Sequence, residues 1–329
     1  MIDRRAFVHG LGAGILSAPL GAEAQQAAKV YRLGILSPAA VPDASVATTP
    51  NLVPMALREL GYVESRNLII ERRFAEGKLD RLRELARELV QLRVDVIMAV
   101  STAIEAAKDA TVTTPIVMGF GDDDPVRRGW VASLARPEGN ITGVIFAAGT
   151  GLASKRLELI KAAVPQAVRI AVLATGEPGS RPQVQEAQKA APALGVKLVV
   201  VEVQGTDYDG AFATMAADRA DALFVLASTI FNRDRKQIIE RAQKYRLPAM
   251  YEWREQVQVG GLMSYGGSLV ELSRRVAAHV DKMFRGIRPA DLPVEQPTKF
   301  DFVINLKTAK ALGLTIPPSL LLRADQVIE

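Results

Sequence analysis

From Tyr31 onward, short apolar runs alternate with amphipathic stretches. YRLGIL, NLIIERRF, VDVIMAV, PIVMGF and ITGVIF fall in the first half, and RIAVLA, KLVVVEV, ALFVLA, AMYEW and GLMSY in the second. Their length and flanking turn residues predict strands. Between them lie helical patterns such as LDRLRELARELVQL, where Leu79, Leu82, Leu85, Ala86 and Leu89 share one face. Strands that are apolar almost throughout are buried on both faces, which requires helices on both sides of a parallel sheet. Two successive units of this kind predict an α/β protein of two lobes, each a parallel sheet flanked by helices. A last long helix, SLVELSRRVAAHVDKMFRG, precedes a proline-rich stretch containing FDFVIN, which reads as one more strand returning to a sheet already built.

Composition narrows the function. The chain has 329 residues, 49% of them hydrophobic, enough for one large or two medium-sized cores. Its 41 Lys and Arg exceed its 36 Asp and Glu to give +5, but the two signs interleave along helices, as in RLRELARELVQL, so no nucleic-acid partner is expected. Cysteine is absent, which excludes thiol catalysis, thiolate metal sites and disulfides. The first residues, MIDRRAFVHGLGAGILSAPLGAEAQQ, combine paired arginines, an apolar stretch from Ala6 to Leu20 and a small-residue cleavage site at Ala22-Glu23-Ala24. They read as an export signal over residues 1–24, cleaved near Ala24, with a mature chain in the periplasm. Arg4-Arg5-Ala6-Phe7-Val8 resembles a twin-arginine signal, although Asp3 stands where a hydroxyl residue is usual. The alternative, a membrane anchor, needs about 18 to 20 apolar residues, and Gly10, Gly12 and Gly14 interrupt this shorter stretch, so no stable membrane insertion is expected.

Catalytic chemistry is sparse. Of two histidines, His9 leaves with the signal and His279 falls on a packed helix surface; no GxxxxGK[ST] loop is present, and the glycines of HGLGAG belong to the signal. No cofactor and no metal are expected, because the aspartates of GFGDDDPVRRGWV lack the alternating ligands of a calcium loop. What the chain offers instead is polar and aromatic residues where strands end, the edge at which ligands collect in open α/β sheets. These are Ser37, Ser101, Thr102, Phe120, Asp122 and Asp124 in the first half and Thr175, Ser228, Thr229, Glu252, Trp253 and Tyr265 in the second. Ser101 and Thr102 open the helix TAIEAAKDA, whose start favours an anion such as a carboxylate; alternatively they only cap it. Asp122 or Asp124 would suit an ammonium group, with Asp123 pointing to solvent; alternatively Asp124 caps the turn that follows. The aromatic residues suggest a cleft for a flat or apolar group.

Longer stretches carry a resemblance. RNLIIERRFAEGKLDRLRELARELV, DDDPVRRGWVASLARPEGNITGV, SKRLELIKAAVP, RADALFVLAS, GGLMSYGGS and PVEQPTKFDFVINLKTAKALGLTIPPSLLLRADQVIE resemble the ABC transporter substrate-binding protein family of the periplasmic binding protein type I superfamily, whose members include tryptophan and tyrosine binders. The resemblance implies two Rossmann-like lobes joined by three crossings, residues 30–145 plus 268–287 and residues 146–267 plus 288–329. It also implies a small-molecule ligand between them, an amino acid or a small aromatic or branched carboxylate, and an ABC importer permease as partner of a monomer without catalysis. A ligand sensor for a membrane receptor and a carboxylate-dependent cleft enzyme are the alternatives. The run Asp122-Asp123-Asp124 and Arg127-Arg128 depart from the family's usual pattern, which leaves the ligand open.

Overall fold

The computed structural model describes residues 29–42, 48–120, 124–146, 151–177, 179–203, 205–297 and 299–329. The expected export signal, Asp122 and Asp123 lie outside the described residues. The first lobe runs β1 (Tyr31–Ser37), α1 (Thr49–Glu59), β2 (Leu68–Phe74), α2 (Leu82–Gln91), β3 (Val96–Ala99), α3 (Ala103–Ala110), β4 (Ile116–Gly119) and β5 (Ile141–Val144). The second runs α4 (Leu152–Ala163), β6 (Arg169–Thr175), α5 (Ser180–Ala190), β7 (Lys197–Val203), α6 (Tyr208–Ala217), β8 (Ala222–Val225), α7 (Thr229–Arg233), α8 (Arg235–Lys244), β9 (Ala249–Tyr251), α9 (Arg254–Gln258) and β10 (Met263–Gly266). There follow α10 (Leu269–Phe284), β11 (Asp301–Asn305), α11 (Leu306–Ala311), α12 (Pro318–Leu321) and β12 (Gln326–Ile328).

The first sheet has the order β2-β1-β3-β4-β5 and the second β12-β11-β10-β9-β8-β6-β7. Central strands β3, β4 and β8 are buried at every residue, as helices on both faces require. All pairings are parallel except β10 with β11. The expectation of wholly parallel sheets is refined there: β11 enters its sheet after the chain has crossed to α10 and back, not through a helix packed on the same sheet. β12 was not anticipated, because three half-buried residues form no apolar run. Leu79 sits in a 3-10 turn and is 41% exposed, so the buried face of α2 begins at Leu82.

Helix α10 follows β10 of the second sheet but packs against α1, placing Leu269, Leu272, Val276 and Val280 in the first lobe's core. Phe284 at its end stacks on Tyr31 at 4.5 Å, and the Tyr62 hydroxyl donates to Asp281 at 2.7 Å. The segment after α10 then runs along β5 before reaching β11. The Thr142 hydroxyl donates to the Leu292 carbonyl at 2.6 Å, Ile145 N–H to Glu295 at 3.0 Å, and Glu295 N–H to Gly143 at 2.9 Å. His279, 1% exposed, has its ring nitrogens 3.0 Å from the carbonyls of Arg275 and Pro293, a packed position as its helical register predicts. The chain thus passes between the sheets three times, after β5, after β10 and after α10.

Gly143 marks how closely β5 approaches its neighbour. Its φ of +138° and a Cβ position 2.4 Å from the Met118 nitrogen leave no room for a side chain. Gly143→Ala is therefore expected to cost more than about 3 kcal/mol by urea unfolding. Gly176→Ala, which meets open space, should change stability by less than about 0.5 kcal/mol. Equal stabilities for the two variants would contradict the packing described.

Candidate functional site

In each sheet the strand order reverses once among the central strands, between β1 and β3 in the first and between β6 and β8 in the second. At such switch points the loops leaving the carboxyl ends diverge to opposite faces and open a crevice. Ser37 ends β1 and Ser228 follows β8, so the two crevices bring both residues to one interlobe cavity. The space it leaves is about 40 Å³, below the range of small-molecule pockets, so a ligand enters only if the lobes part. Phe120, Thr229, Glu252 and Trp253 also line it, so six residues picked out along the sequence meet there.

The first lobe supplies the polar and aromatic wall formed by Ser37, Thr48, Thr49, Phe74 and Phe120. Phe120 adopts φ +75° and Ser101 φ +52°, left-handed conformations that non-glycine residues adopt at a cost and that concentrate at binding sites. The two are joined, Ser101 N–H donating to the Phe120 carbonyl at 2.9 Å. The second lobe supplies Trp253, whose ring lies 6.2 Å from Phe120 and 4.8 Å from Phe146. Two hydroxyl oxygens on the cavity wall, Thr48 Oγ1 and Thr229 Oγ1, are buried without a hydrogen-bond partner among the described residues.

Charge on this wall comes from Arg233 and Glu252. Arg233 is engaged by Asp234, donating from Nε at 2.5 Å and Nη2 at 2.6 Å, while the Tyr208 hydroxyl donates to the same carboxylate at 2.7 Å. Glu252 is 3% exposed and reaches Arg156 Nη2 only at 3.5 Å. Burial raises its carboxyl to about 7 against the opposing pull of the Arg156 charge. Glu177, on the loop after β6, is likewise raised to about 7 by burial, tempered by the Ser228 hydroxyl, and its Oε1 has no partner among the described residues.

The other sequence-predicted residues lie around this cavity. Ser101 and Thr102 line a neighbouring groove with Trp130, whose indole N–H donates to Glu105 at 2.6 Å. Among the described residues neither caps α3: no side-chain bond closes that helix start, and Thr102 Oγ1 is buried without a partner. Asp124 borders an outer interlobe groove and accepts from Val126 N–H at 2.9 Å and Arg127 N–H at 3.2 Å, the turn-capping alternative. Thr175 is buried behind the rim, 2.8 Å from the Ser180 hydroxyl, and Tyr265 stacks on Phe300 at 5.9 Å. Phe231 packs beside Tyr208 in the second lobe's core and not on the cavity.

Sequence reasoning missed Thr48, Thr49, Phe74, Glu177 and Arg156. Arg156 donates from Nε to the Tyr265 carbonyl at 2.7 Å and lies 5.7 Å over the Phe146 ring, while its side chain is 1% exposed. Its register carried a signal, since it shares the buried face of α4 with Leu152, Ala153, Leu157, Ile160 and Ala163. A charge in that register has to find a partner inside the protein.

A buried carboxyl without a cationic partner makes stability depend on pH. Below the ordinary carboxylate range Glu177 is protonated in both folded and unfolded chains and has no effect. As pH rises toward 7 the unfolded chain loses its proton first, so stability falls, and above 7 the cost is complete. Glu177→Gln should therefore be more stable than the parent by about 2–3 kcal/mol at pH 8 and equal to it near pH 4, by urea unfolding at both values. A pH-independent difference would contradict this assignment.

Comparison with known proteins agrees with the two-lobed geometry. A family model described as ABC transporter substrate binding protein matches residues 41–328. A tyrosine-binding protein of Clostridioides difficile is 26% identical over 261 residues, covering 79% of this chain and 74% of that protein. A conserved domain protein from Vibrio cholerae superposes with a TM-score of 0.81 at 26% identity, covering 91% of this chain and all of that one. An ABC domain from Streptococcus pneumoniae solved with L-Trp gives 0.79 at the same identity, again covering 91% of this chain and all of the other. Two lobes built on mostly parallel sheets around a cleft, and a family match that spans nearly all of the described chain, place this protein in the ABC transporter substrate-binding protein family.

Proposed function

We propose that the protein is exported, captures a small molecule, an amino acid or a small aromatic or branched carboxylate, in the cavity between its lobes, and delivers it to an ABC importer. The observation that carries this reading is the pair of buried hydroxyl oxygens on the cavity wall that have no partner among the described residues, Thr48 from the first lobe and Thr229 from the second. A buried polar atom without a partner costs free energy, and a ligand gripped from both sides would satisfy both. Phe74, Phe120 and Trp253 supply flat apolar surface for a side group. Ser101 and Thr102, just beyond Val100 of the cavity wall, are the candidates for a ligand carboxylate at the start of α3. The similarity to a tyrosine binder and to a domain solved with L-Trp supports an aromatic amino acid in particular.

The moving bodies under this proposal are residues 30–145 plus 268–287 and residues 146–267 plus 288–329, turning about the three crossings. Binding to one arrangement of the lobes shifts the population toward it only by the ligand's differential affinity. No step of this cycle makes or breaks a covalent bond, so the protein acts as a carrier and not as a catalyst. Among the described residues no helix is long and apolar enough to cross a membrane; under this proposal the importer's permease carries the ligand across.

A thermal-shift screen of the mature chain against L-amino acids and aromatic acids should give stabilisation by at least one of them, about 2.7 kcal/mol at a hundredfold excess over Kd. Thr48→Val and Thr229→Val should each weaken that ligand by about 0.5–1.5 kcal/mol without lowering the Tm of the free protein. No stabilising ligand, or valine variants that bind as well as the parent, would contradict the proposal. For export, replacing Arg4 and Arg5 by lysine should leave full-length precursor in the cytoplasm, checked by fractionation and N-terminal sequencing.

A further inference from the structure

One buried histidine stands where the crossings between the lobes meet. The third crossing is pinned to the first by backbone bonds, Ile145 N–H donating to the Glu295 carbonyl at 3.0 Å and Glu295 N–H to the Gly143 carbonyl at 2.9 Å. Side chains pin it to α10, which carries the chain onward from the second. Arg275 Nη1 lies 3.2 Å from the Glu295 carboxylate, and His279 Nε2 lies 3.0 Å from the Pro293 carbonyl. His279 is 1% exposed, so its ring has to be satisfied by the protein.

The ring nitrogens make a demand that a neutral imidazole cannot meet. Nδ1 faces the Arg275 carbonyl and Nε2 the Pro293 carbonyl, each at 3.0 Å, and a carbonyl oxygen only accepts. A neutral ring has one N–H and one lone pair, so either tautomer sets a lone pair against a carbonyl oxygen. The imidazolium has two N–H groups and gives one to each. The Thr142 hydroxyl is 3.4 Å from the Pro293 carbonyl but is given to Leu292 at 2.6 Å, so it does not relieve the ring. The charged ring also has a counter-ion, since Glu295 Oε1 lies 3.9 Å from Nδ1.

Other charges around the ring are engaged or turned outward. Strands β3, β4 and β5, against which α10 packs, carry no titratable residue. Helix α1 carries Arg58 and Glu59, both exposed, and Glu59 pairs with Arg274. On α10 the neighbouring charges are Arg275, which also meets Glu271, and the exposed Lys282. On the crossing, Arg288 pairs with Asp291. Glu295 is thus the acid that answers both Arg275 and His279.

We propose that His279 is a proton-operated brace of the hinge: charged, it ties α10 to the third crossing and holds the lobes in this arrangement, and on losing a proton it releases one carbonyl and lets the lobes part. The arrangement it holds is a closed one, with Trp253 buried and about 40 Å³ left in the cavity. The inference rests on the lobes moving about the crossings, as proposed above, and not on which molecule they enclose. The brace is complete while the ring keeps both protons and is lost as pH rises through the ring's own titration. Acid therefore favours closure, and closure in turn holds the proton, because coupling between two equilibria is reciprocal.

The test uses the untagged chain from Gln25 onward, in which His279 is the only histidine, labelled with ¹⁵N-histidine. Its NMR spectrum between about pH 5 and about pH 9 should show hydrogen on both ring nitrogens at the acid end and the loss of one on raising the pH. Small-angle scattering of the ligand-free protein should show the radius of gyration rise with the same midpoint, for at least about a fivefold change in the ratio of open to closed protein. Glu177 and Glu252 also change charge near pH 7, so the histidine's share is the part of this step that His279→Gln removes. Should that variant not fold, Glu295→Gln keeps the backbone pins but loses the counter-ion, and it should move the ring's midpoint and the scattering step together to lower pH. A ring neutral throughout, a titrating ring with no scattering step, a step unchanged in His279→Gln, or midpoints that separate in Glu295→Gln would overturn the brace. None of these readings involves a ligand, so a protein that fails them and still closes on a confirmed ligand leaves the proposed function standing. A protein that passes them and binds none of the screened ligands contradicts that function and leaves the brace.

Discussion

Trp253 leaves the end of a strand in the second sheet and is buried in the core of the first lobe. It packs on Phe120 of that lobe and on Phe146, which lies on the first crossing between lobes. Burying one tryptophan removes roughly 200 Å² from water, worth at most about 5 kcal/mol. Any separation of the lobes has to expose part of that surface. The cavity beside Trp253 is thus formed by the same contact that holds the lobes together, and a ligand that adds contacts there adds to an interaction already present.

The electrostatic design of the second lobe's rim follows from the same closure. Excluding water raises the cost of charge, which is why Glu252 and Glu177 are both raised to about 7 by burial while Arg233 is locked to Asp234. A pair at 3.5 Å such as Arg156–Glu252 recovers only part of that desolvation. Its value lies in placement: Arg156 ties α4 to the carbonyl of Tyr265 and stacks on Phe146, so the carboxyl it faces is fixed relative to two of the three crossings.

Much of this was legible in the sequence, for identifiable reasons. Central strands such as β3, β4 and β8 announced themselves because burial on both faces demands uninterrupted apolar residues. Ser37, Phe120, Ser228, Thr229, Glu252 and Trp253 could be placed on a cleft because strand ends at a switch point converge there whatever the residues are. Arg156 was hidden because a charge between Lys155 and Glu158 reads as a solvated helix face; only its register with Leu157 and Ile160 shows otherwise. Thr48 and Thr49 escaped because they end a loop with no apolar pattern, and β12 because three residues are too few to show a period. The aspartate run drew attention by composition alone, yet Asp124 is engaged with its own turn, which depends on backbone geometry that residue identity does not report.

The central claim is that one ligand is gripped by both lobes and shifts their arrangement. Small-angle X-ray scattering of the mature chain, with and without a ligand whose binding has been confirmed by calorimetry, tests it most directly. The account predicts a smaller radius of gyration at saturation, with the change tracking the binding isotherm. Superimposable scattering profiles under saturating ligand would contradict it.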